Sequence, residues 1–261
     1  MLSEQFIQTK KSESFPVNQC YFSAFLNLIY PIIRDFHEKK NINSKLLKAN
    51  DKIYSLLYCI HLKKYAHQTN ELMTRLIDLL KKTPKFKNLD LSVGTMNDAN
   101  SLFNTMMIYL IEKYSESVIN INTLDERHFN VANFTKSSTK SNTMLYYTSP
   151  ISKIEIEKRL SKCFVKYGTN VKNRKYIIMY CPSNPSSFPF KLSVSGINYR
   201  VARYTSSSGN HIVAIDLNKG TSILNNDNVK TKLGSYNEET KKTIEAYGIR
   251  GKIRTVILEK I

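Results

Sequence analysis

What the chain lacks narrows it first. Nowhere in its 261 residues is there a run of about 18 uninterrupted apolar positions, so no transmembrane helix is expected. The opening MLSEQFIQTKKSE carries no apolar signal-peptide core, and the chain is expected to work inside a cell, in cytoplasm or nucleus. Cysteine is scarce: four residues, none in a paired spacing, which excludes a disulfide scaffold and an all-cysteine zinc ribbon. Acidic residues are few, 21 Asp and Glu against 39 Lys and Arg, for a formal charge of +18. A nucleic-acid or anionic-membrane partner would suit that charge. Arginine is also short, however, with nine residues against 30 lysines, and no block of five basic residues occurs. Dispersed lysine without the planar arginine fork suits a solvated surface better, so nucleic acid is a permitted partner and not the favoured one.

What is present is globular. Hydrophobic residues at 41% and charged residues at 23% exclude a disordered chain, and the length suits one large domain or two lobes around a cleft. The first half reads as helices. An apolar stretch runs from Cys20 to about Tyr30, where Pro31 is expected to kink or restart the helix. Leu46, Leu47, Ile53, Leu56, Leu57 and Ile60 recur at helical spacing over one helix from Ser44 to about His67. A third helix carries Leu72, Leu76, Ile77 and Leu80, and a fourth, capped by Asp98, runs to about Tyr114. After a Ser/Thr/Asn-rich stretch and a short helix from Lys153, the period changes to that of strands. These are Lys175–Cys181, Phe190–Val194, Tyr199–Tyr204, His211–Leu217, Thr221–Leu224 and Arg254–Glu259, with a flexible joint over Thr205–Asn210. Helices followed by antiparallel strands indicate an α+β fold.

Two residues stand out chemically. Cys20 lies where a loop enters a helix, and unsatisfied amides and the positive dipole end there favour thiolate over thiol. The same amides accept an oxyanion. An ordinary small buried hydrophobe has the same signature, and position alone leaves both readings open. A nucleophilic cysteine needs an imidazole base, and the base needs an orienting acceptor. His211 opens a strand directly after Ser206-Ser207-Ser208-Gly209-Asn210, a rigid support beside a permissive turn. Asn226, followed by Asp227, closes the next strand and is placed to accept a ring N–H, although Asn225–Asn228 also reads as a plain turn.

Around these residues the sequence resembles the ubiquitin-specific protease family, the papain-like deubiquitinating cysteine peptidases. Asn18, Cys20, Tyr21, Leu26 and Asn27 fall in register with the family's cysteine box, Asn27 standing where Gln is usual. Tyr199-Arg200-Val201, Gly209-Asn210-His211-Ile212-Val213-Ala214 and Asn226-Asp227-Asn228-Val229 follow the order of its histidine box. Met96-Asn97-Asp98-Ala99-Asn100-Ser101-Leu102 is similar to a helix start that the family carries between the two.

The resemblance implies a papain-like peptidase fold over residues 1–261 as a single domain. A helical lobe of about residues 1–115 would hold the nucleophile, and a strand-rich lobe of about 116–261 the base. It implies Cys20 as nucleophile, His211 as base and then acid, Asn226 as orienter and Asp227 as the reserve third residue. Asn18, Gln19 or the Cys20 amide would supply oxyanion donors, since Phe15 stands where the family has its oxyanion Asn. Asp98 would face the arginines in the tail of ubiquitin, with Tyr199 and Gly209 among the substrate contacts. The family's zinc-binding CxxC pairs are absent, so reduced or missing fingers are expected, with no metal and no cofactor. The partner implied is ubiquitin or a ubiquitin-like protein with its conjugates. A papain-like protease for linear, for example viral, proteins acting in a host cell is a second reading, and a non-catalytic basic scaffold is a third.

Overall fold

The computed structural model describes residues 20–38, 42–62, 68–91, 99–114, 124–125, 141–142, 145–146, 152–167, 175–183, 190–208, 211–218, 221–226, 229–235 and 252–261. Five helices come first: α1 (Cys20–Glu38), α2 (Ile42–Asn50), α3 (Lys52–Ile60), α4 (Thr69–Lys81) and α5 (Ala99–Tyr114). Three two-residue strands follow, β1 (Leu124–Asp125), β2 (Ser141–Asn142) and β3 (Leu145–Tyr146), and then helix α6 (Lys153–Tyr167). The rest is sheet: β4 (Tyr176–Ser183), β5 (Lys191–Val194), β6 (Ile197–Ser208), β7 (His211–Asn218), β8 (Thr221–Asn226), β9 (Val229–Ser235) and β10 (Lys252–Lys260). Helices followed by a mainly antiparallel sheet make the α+β class that the periodicity change implied. None of the described helices is long and apolar enough to cross a membrane.

The strands lie in the order β3-β4-β10-β6-β7-β8-β9. Every described neighbour pair in that order is antiparallel except β3 with β4. The twelve-residue β6 is long enough to take two partners on one edge. Its first residues pair with β5 and its last with β7, Ser208 opposite His211. Thr205 and Ser206, expected in a flexible joint, are buried strand residues, because β6 continues through them to pair with β7 and β10. Ser195 (φ 52°) and Gly196 (φ 77°) form the tight β5–β6 turn, both in the left-handed region such hairpins require. The strand β9 was not among the expected strands, although Val229, Thr231 and Leu233 alternate with Lys230, Lys232 and Gly234 along it.

α1 is buried nearly all round, as an apolar helix must be when other elements enclose it. Its Phe22, Phe25, Leu28, Ile29, Ile32 and Phe36 share one core with α3, α4 and α5 and with Tyr176, Ile178, Ile212, Ala214 and Ile257 of the sheet. The alternate strand residues Ile177, Met179, Val213, Ile215, Val256 and Leu258 are buried too, so both faces of the sheet are covered. α6 belongs to the β5 end: Glu157 Oε1 accepts from the Ser193 amide at 2.6 Å.

Two departures from the expected helices have local causes. Helix α1 continues through Pro31 instead of restarting there. The single helix expected from Ser44 divides at Asp51, which turns extended (φ −91°, ψ 102°) and caps α3 by accepting from the Tyr54 amide at 3.1 Å. Asp51 is only 1% exposed and does more than cap. Its carboxylate accepts from the Tyr114 hydroxyl at 2.7 Å and the Tyr109 hydroxyl at 3.1 Å, and lies 3.2 Å from Lys113 Nζ. One acid thus ties α5 to the start of α3.

Asp51→Ala should cost about 3 kcal/mol or more of stability, because it strands buried hydroxyls and a cation together. Asp51→Asn, which keeps the cap, should cost less; denaturant unfolding of the two variants measures the difference. Burial also pushes the phenols of Tyr21 and Tyr199 up to about 12, and those of Tyr54, Tyr114 and Tyr176 higher still. For a group raised in the folded state, the stabilisation is complete below its unfolded value of about 10 and is lost as pH climbs from there toward the folded value. Melting temperature should therefore be flat approaching pH 10 and fall steeply above it, and Tyr199→Phe should make that fall shallower.

Candidate active site

Cys20 is the first residue of α1, half-buried, packed against the common core and not part of a disulfide. His211 is the first residue of β7 and is exposed. Whether the two can meet depends on how helix and strand are aligned, and two anchors fix that alignment. Near the C-terminal end of α1, Asp35 accepts from Lys175 Nζ at 2.5 Å and from the Tyr176 hydroxyl at 2.8 Å. Glu259, opposite both Tyr176 and Arg200 in the sheet, completes the cluster, 3.4 Å from Lys175 and 3.1 Å from Arg200.

The second anchor lies at mid-helix. In an α-helix the carbonyl of Asn27 would accept from the amide of residue 31, but that residue is Pro31 and has no N–H. Arg203 of β6 fills the vacancy, donating from Nη1 to the Asn27 carbonyl oxygen. Its Nη2 binds Asp216 of β7 at 2.5 Å, the residue directly opposite it in the ladder, and its guanidinium lies 5.4 Å from the Tyr30 ring centroid. The Asn27 side chain donates to the Ser23 carbonyl at 2.9 Å, within the helix.

These anchors order α1 against the sheet. Asp35 sits at the Tyr176–Glu259–Arg200 level and Asn27 at the Arg203–Asp216 level, so the head of the helix runs toward the Ser207–Ile212 level. Cys20 is seven residues before Asn27, roughly 10 Å of helix. His211 is five residues before Asp216, roughly 16 Å of strand. Helix head and strand head therefore lie at the same end of the sheet. Pleat alternation turns Ile212 and Ala214 toward the helix, so any approach of the His211 ring to the thiol runs past the sheet end.

Position 226 comes to the same end. Ala214 pairs with Asn225, which sets Asn226 level with Val213, diagonal to His211 on the neighbouring strand. Asn225 and Asn226, expected in a turn, are thus strand residues, Asn226 the last of β8 and paired with Val229. Tyr199 is fully buried, pairs with Leu192 and Lys260, and lies nine residues of strand from Ser208, roughly 30 Å from the histidine end. Asn18, Gln19, Asp98, Gly209 and Asp227 lie outside the described residues, although α5 begins one residue after Asp98, at the buried Ala99.

Tyr21, next to Cys20, does not compete as an acid or base. Burial first, then the charges of Asp90 and of the Cys20 sulfur, push its phenol up to about 12. Among the described residues no three His, Cys, Asp or Glu side chains stand together as a metal site. The feature that sequence reasoning missed is the Asn27–Arg203–Asp216 junction. Its signal was a proline four residues after a polar residue in a buried helix, together with an arginine in an apolar strand.

No protein-family model matches the sequence, and no curated protein matches it. Solved structures do resemble it. A chain of the SAGA Ubp8/Sgf11/Sus1/Sgf73 DUB module is similar over 99% of this chain and 71% of its own, at a TM-score of 0.54 and 12% identity. An essential yeast splicing factor is similar over 95% of this chain and 69% of its own, at 0.51 and 12%. The papain-like protease of MERS coronavirus, at 0.40 and 10% identity, is too distant to carry an argument. At such identities the likeness is one of fold alone. The fold is an α+β one shared with a deubiquitinating module and with a splicing factor, and it does not by itself select an activity.

Proposed function

We propose that the chain is a cysteine-type deubiquitinase of the ubiquitin-specific protease kind, in which Cys20 is the nucleophile and His211 the base. The observation that carries this reading is the arrival of the α1 head and the β7 head at one end of the sheet, in a chain whose cysteine and histidine boxes run in the family's order. The DUB-module likeness supports the fold this requires. That neighbour is the longer of the two chains.

The Cys20 thiolate attacks the carbonyl carbon after the terminal glycine of ubiquitin or a ubiquitin-like protein. The developing oxyanion takes hydrogen bonds from the Cys20 amide and from Asn18 or Gln19. His211, holding the proton, gives it to the departing lysine or α-amine, and the C–N bond breaks to leave a thioester on Cys20. Water, deprotonated by His211, then attacks the thioester; the C–S bond breaks, the modifier leaves as its carboxylate and the thiol is restored. Asn226 accepts the other ring N–H and fixes the tautomer, with Asp227 as the reserve for that task. Asp98 pairs with arginine in the tail of the modifier. In this reading, residues up to about 115 form the lobe of the nucleophile and the remainder the lobe of the base.

A second reading is favoured by one observation, the likeness to a splicing factor in a chain of charge +18: a non-catalytic basic scaffold that keeps the fold. Ubiquitin carrying a C-terminal electrophile separates the two. It should form a covalent adduct with the wild-type chain and none with Cys20→Ala, and His211→Ala should slow labelling by about 10²–10⁴. A folded wild-type protein that is labelled neither by ubiquitin nor by its relatives rules the deubiquitinase out. Cleavage of linear proteins but not of di-ubiquitin would move the substrate to the papain-like protease alternative.

A further inference from the structure

Pro31 makes a defect that the sheet repairs. Its ring crowds the carbonyl of Asn27 and offers it no N–H, a combination that ordinarily kinks or breaks a helix interior. The described helix nevertheless runs unbroken from Cys20 to Glu38. The carbonyl that proline leaves vacant is the one that Arg203 reaches. Arg203 is itself held from the far side by Asp216, in a site where both side chains are about 85% or more enclosed (13% and 15% exposed). A lysine there would offer a point charge, whereas the guanidinium offers two parallel donors at a set angle.

We propose that Arg203 is a positioning residue: its fork, joining the Asn27 carbonyl of α1 to Asp216 of β7, sets how far along the sheet the head of the helix reaches toward the strand end, and so sets Cys20 against His211. This rests on the peptidase reading above. The arithmetic favours such a role. The junction stands seven residues from the nucleophile and five from the base, nearer to both than the Asp35 anchor at the other end of α1. The histidine ring must meet the thiol round the sheet end, so displacement along the helix axis changes their separation directly. A misplacement of about 1 Å at a reacting centre is worth about 10² in rate.

Proline also supplies the test, because structural repair and alignment can be separated. Pro31→Ala returns an N–H to the Asn27 carbonyl. In Arg203→Met the carbonyl is orphaned and the tether lost; in Pro31→Ala/Arg203→Met the helix is repaired and the tether still lost. The readouts are melting temperature and the rate at which iodoacetamide alkylates Cys20 at pH 7, followed on the Cys20 peptide by mass spectrometry. Each variant is made with His211 and with His211→Ala.

In the wild type, removing His211 should slow Cys20 alkylation about tenfold or more. Arg203→Met should slow it comparably and leave His211→Ala with almost no further effect. The double variant should regain the share of melting temperature lost through the orphaned Asn27 carbonyl, the unpaired Asp216 keeping the rest, and none of the His211-dependent rate. Where Arg203→Met alone folds too poorly to assay, the double variant carries the comparison. Recovery of both quantities in the double variant, or an undiminished effect of His211→Ala in Arg203→Met, would show that Arg203 only holds the fold together. A wild type in which His211→Ala changes nothing, and which the ubiquitin electrophile fails to label, would instead remove the peptidase reading. The two failures are distinct, since one appears in the parent protein and the other only in the variants.

Discussion

An unsatisfied helix carbonyl is the point on which this structure turns. Proline inside a buried helix usually costs a hydrogen bond and a bend, and water makes good the loss at a surface. Here the helix is enclosed, so water is not at hand and the vacant acceptor must find a protein donor. The donor comes from the sheet. Because it comes from a strand that is also paired to β7, satisfying the helix at Asn27 fixes where α1 lies along the sheet. The Asp35 cluster repeats the device at the other end of the helix with a carboxylate in place of a carbonyl. Apolar packing brings the two layers together but says little about sliding. Directional polar contacts in a dry setting remove that freedom.

The path from this constraint to chemistry is short. A thiol at a helix head and an imidazole at a strand head are each common, and neither amounts to a site alone. The peptidase reading requires both heads at a single end of one sheet, and so requires that α1 run in one sense and at one height. The two anchors supply sense and height, and the order β6-β7-β8 then carries position 226 to the same end without further specification. A fold can therefore keep its core and lose its chemistry by a small slide of one helix. Such a fold is well suited to serve both a deubiquitinating module and a splicing factor, as its structural neighbours do.

Much of this was legible in the residues, and the failures have physical causes. The change from helical to alternating periodicity gave the α+β class, and the strand from His211 was readable from its apolar run. The split at Asp51 was hidden because Leu46 and Leu47 before it and Ile53, Leu57 and Ile60 after it keep one helical apolar spacing. Only the pull of the Tyr114, Tyr109 and Lys113 groups on the same carboxylate shows why the chain turns there. Thr205 and Ser206 read as a loop by composition, since serine and threonine compete for backbone hydrogen bonds, yet tertiary pairing on both edges holds them in strand. Tyr199 matched a motif by order, and in the structure it is fully buried. The Arg203 junction was beyond any periodicity argument. Its logic is one missing N–H in a helix answered by a side chain 172 residues further on (203 − 31).

The basic charge is best understood through where the acids are. Asp35, Asp51, Asp216 and Glu259 are all enclosed or nearly so, and each is matched by a cation: Lys175, Lys113 and Arg200, which reach in from the surface, and the more enclosed Arg203. These pairs are close to neutral as units. The excess of +18 is therefore carried by the remaining residues, largely lysine. A surface of that kind acts on solubility and on the speed of encounter with negatively charged surfaces, and not on which fold forms. Alignment of α1 uses a few of the cations: Lys175 at the Asp35 level, with Arg200 joined to it through Glu259, and Arg203 at the Asn27 level, where a fixed fork reaches carbonyl and carboxylate at once. Charge and alignment thus draw on different cations of the same chain, which is how a strongly basic protein can hold its helix at one height using very few of its charges.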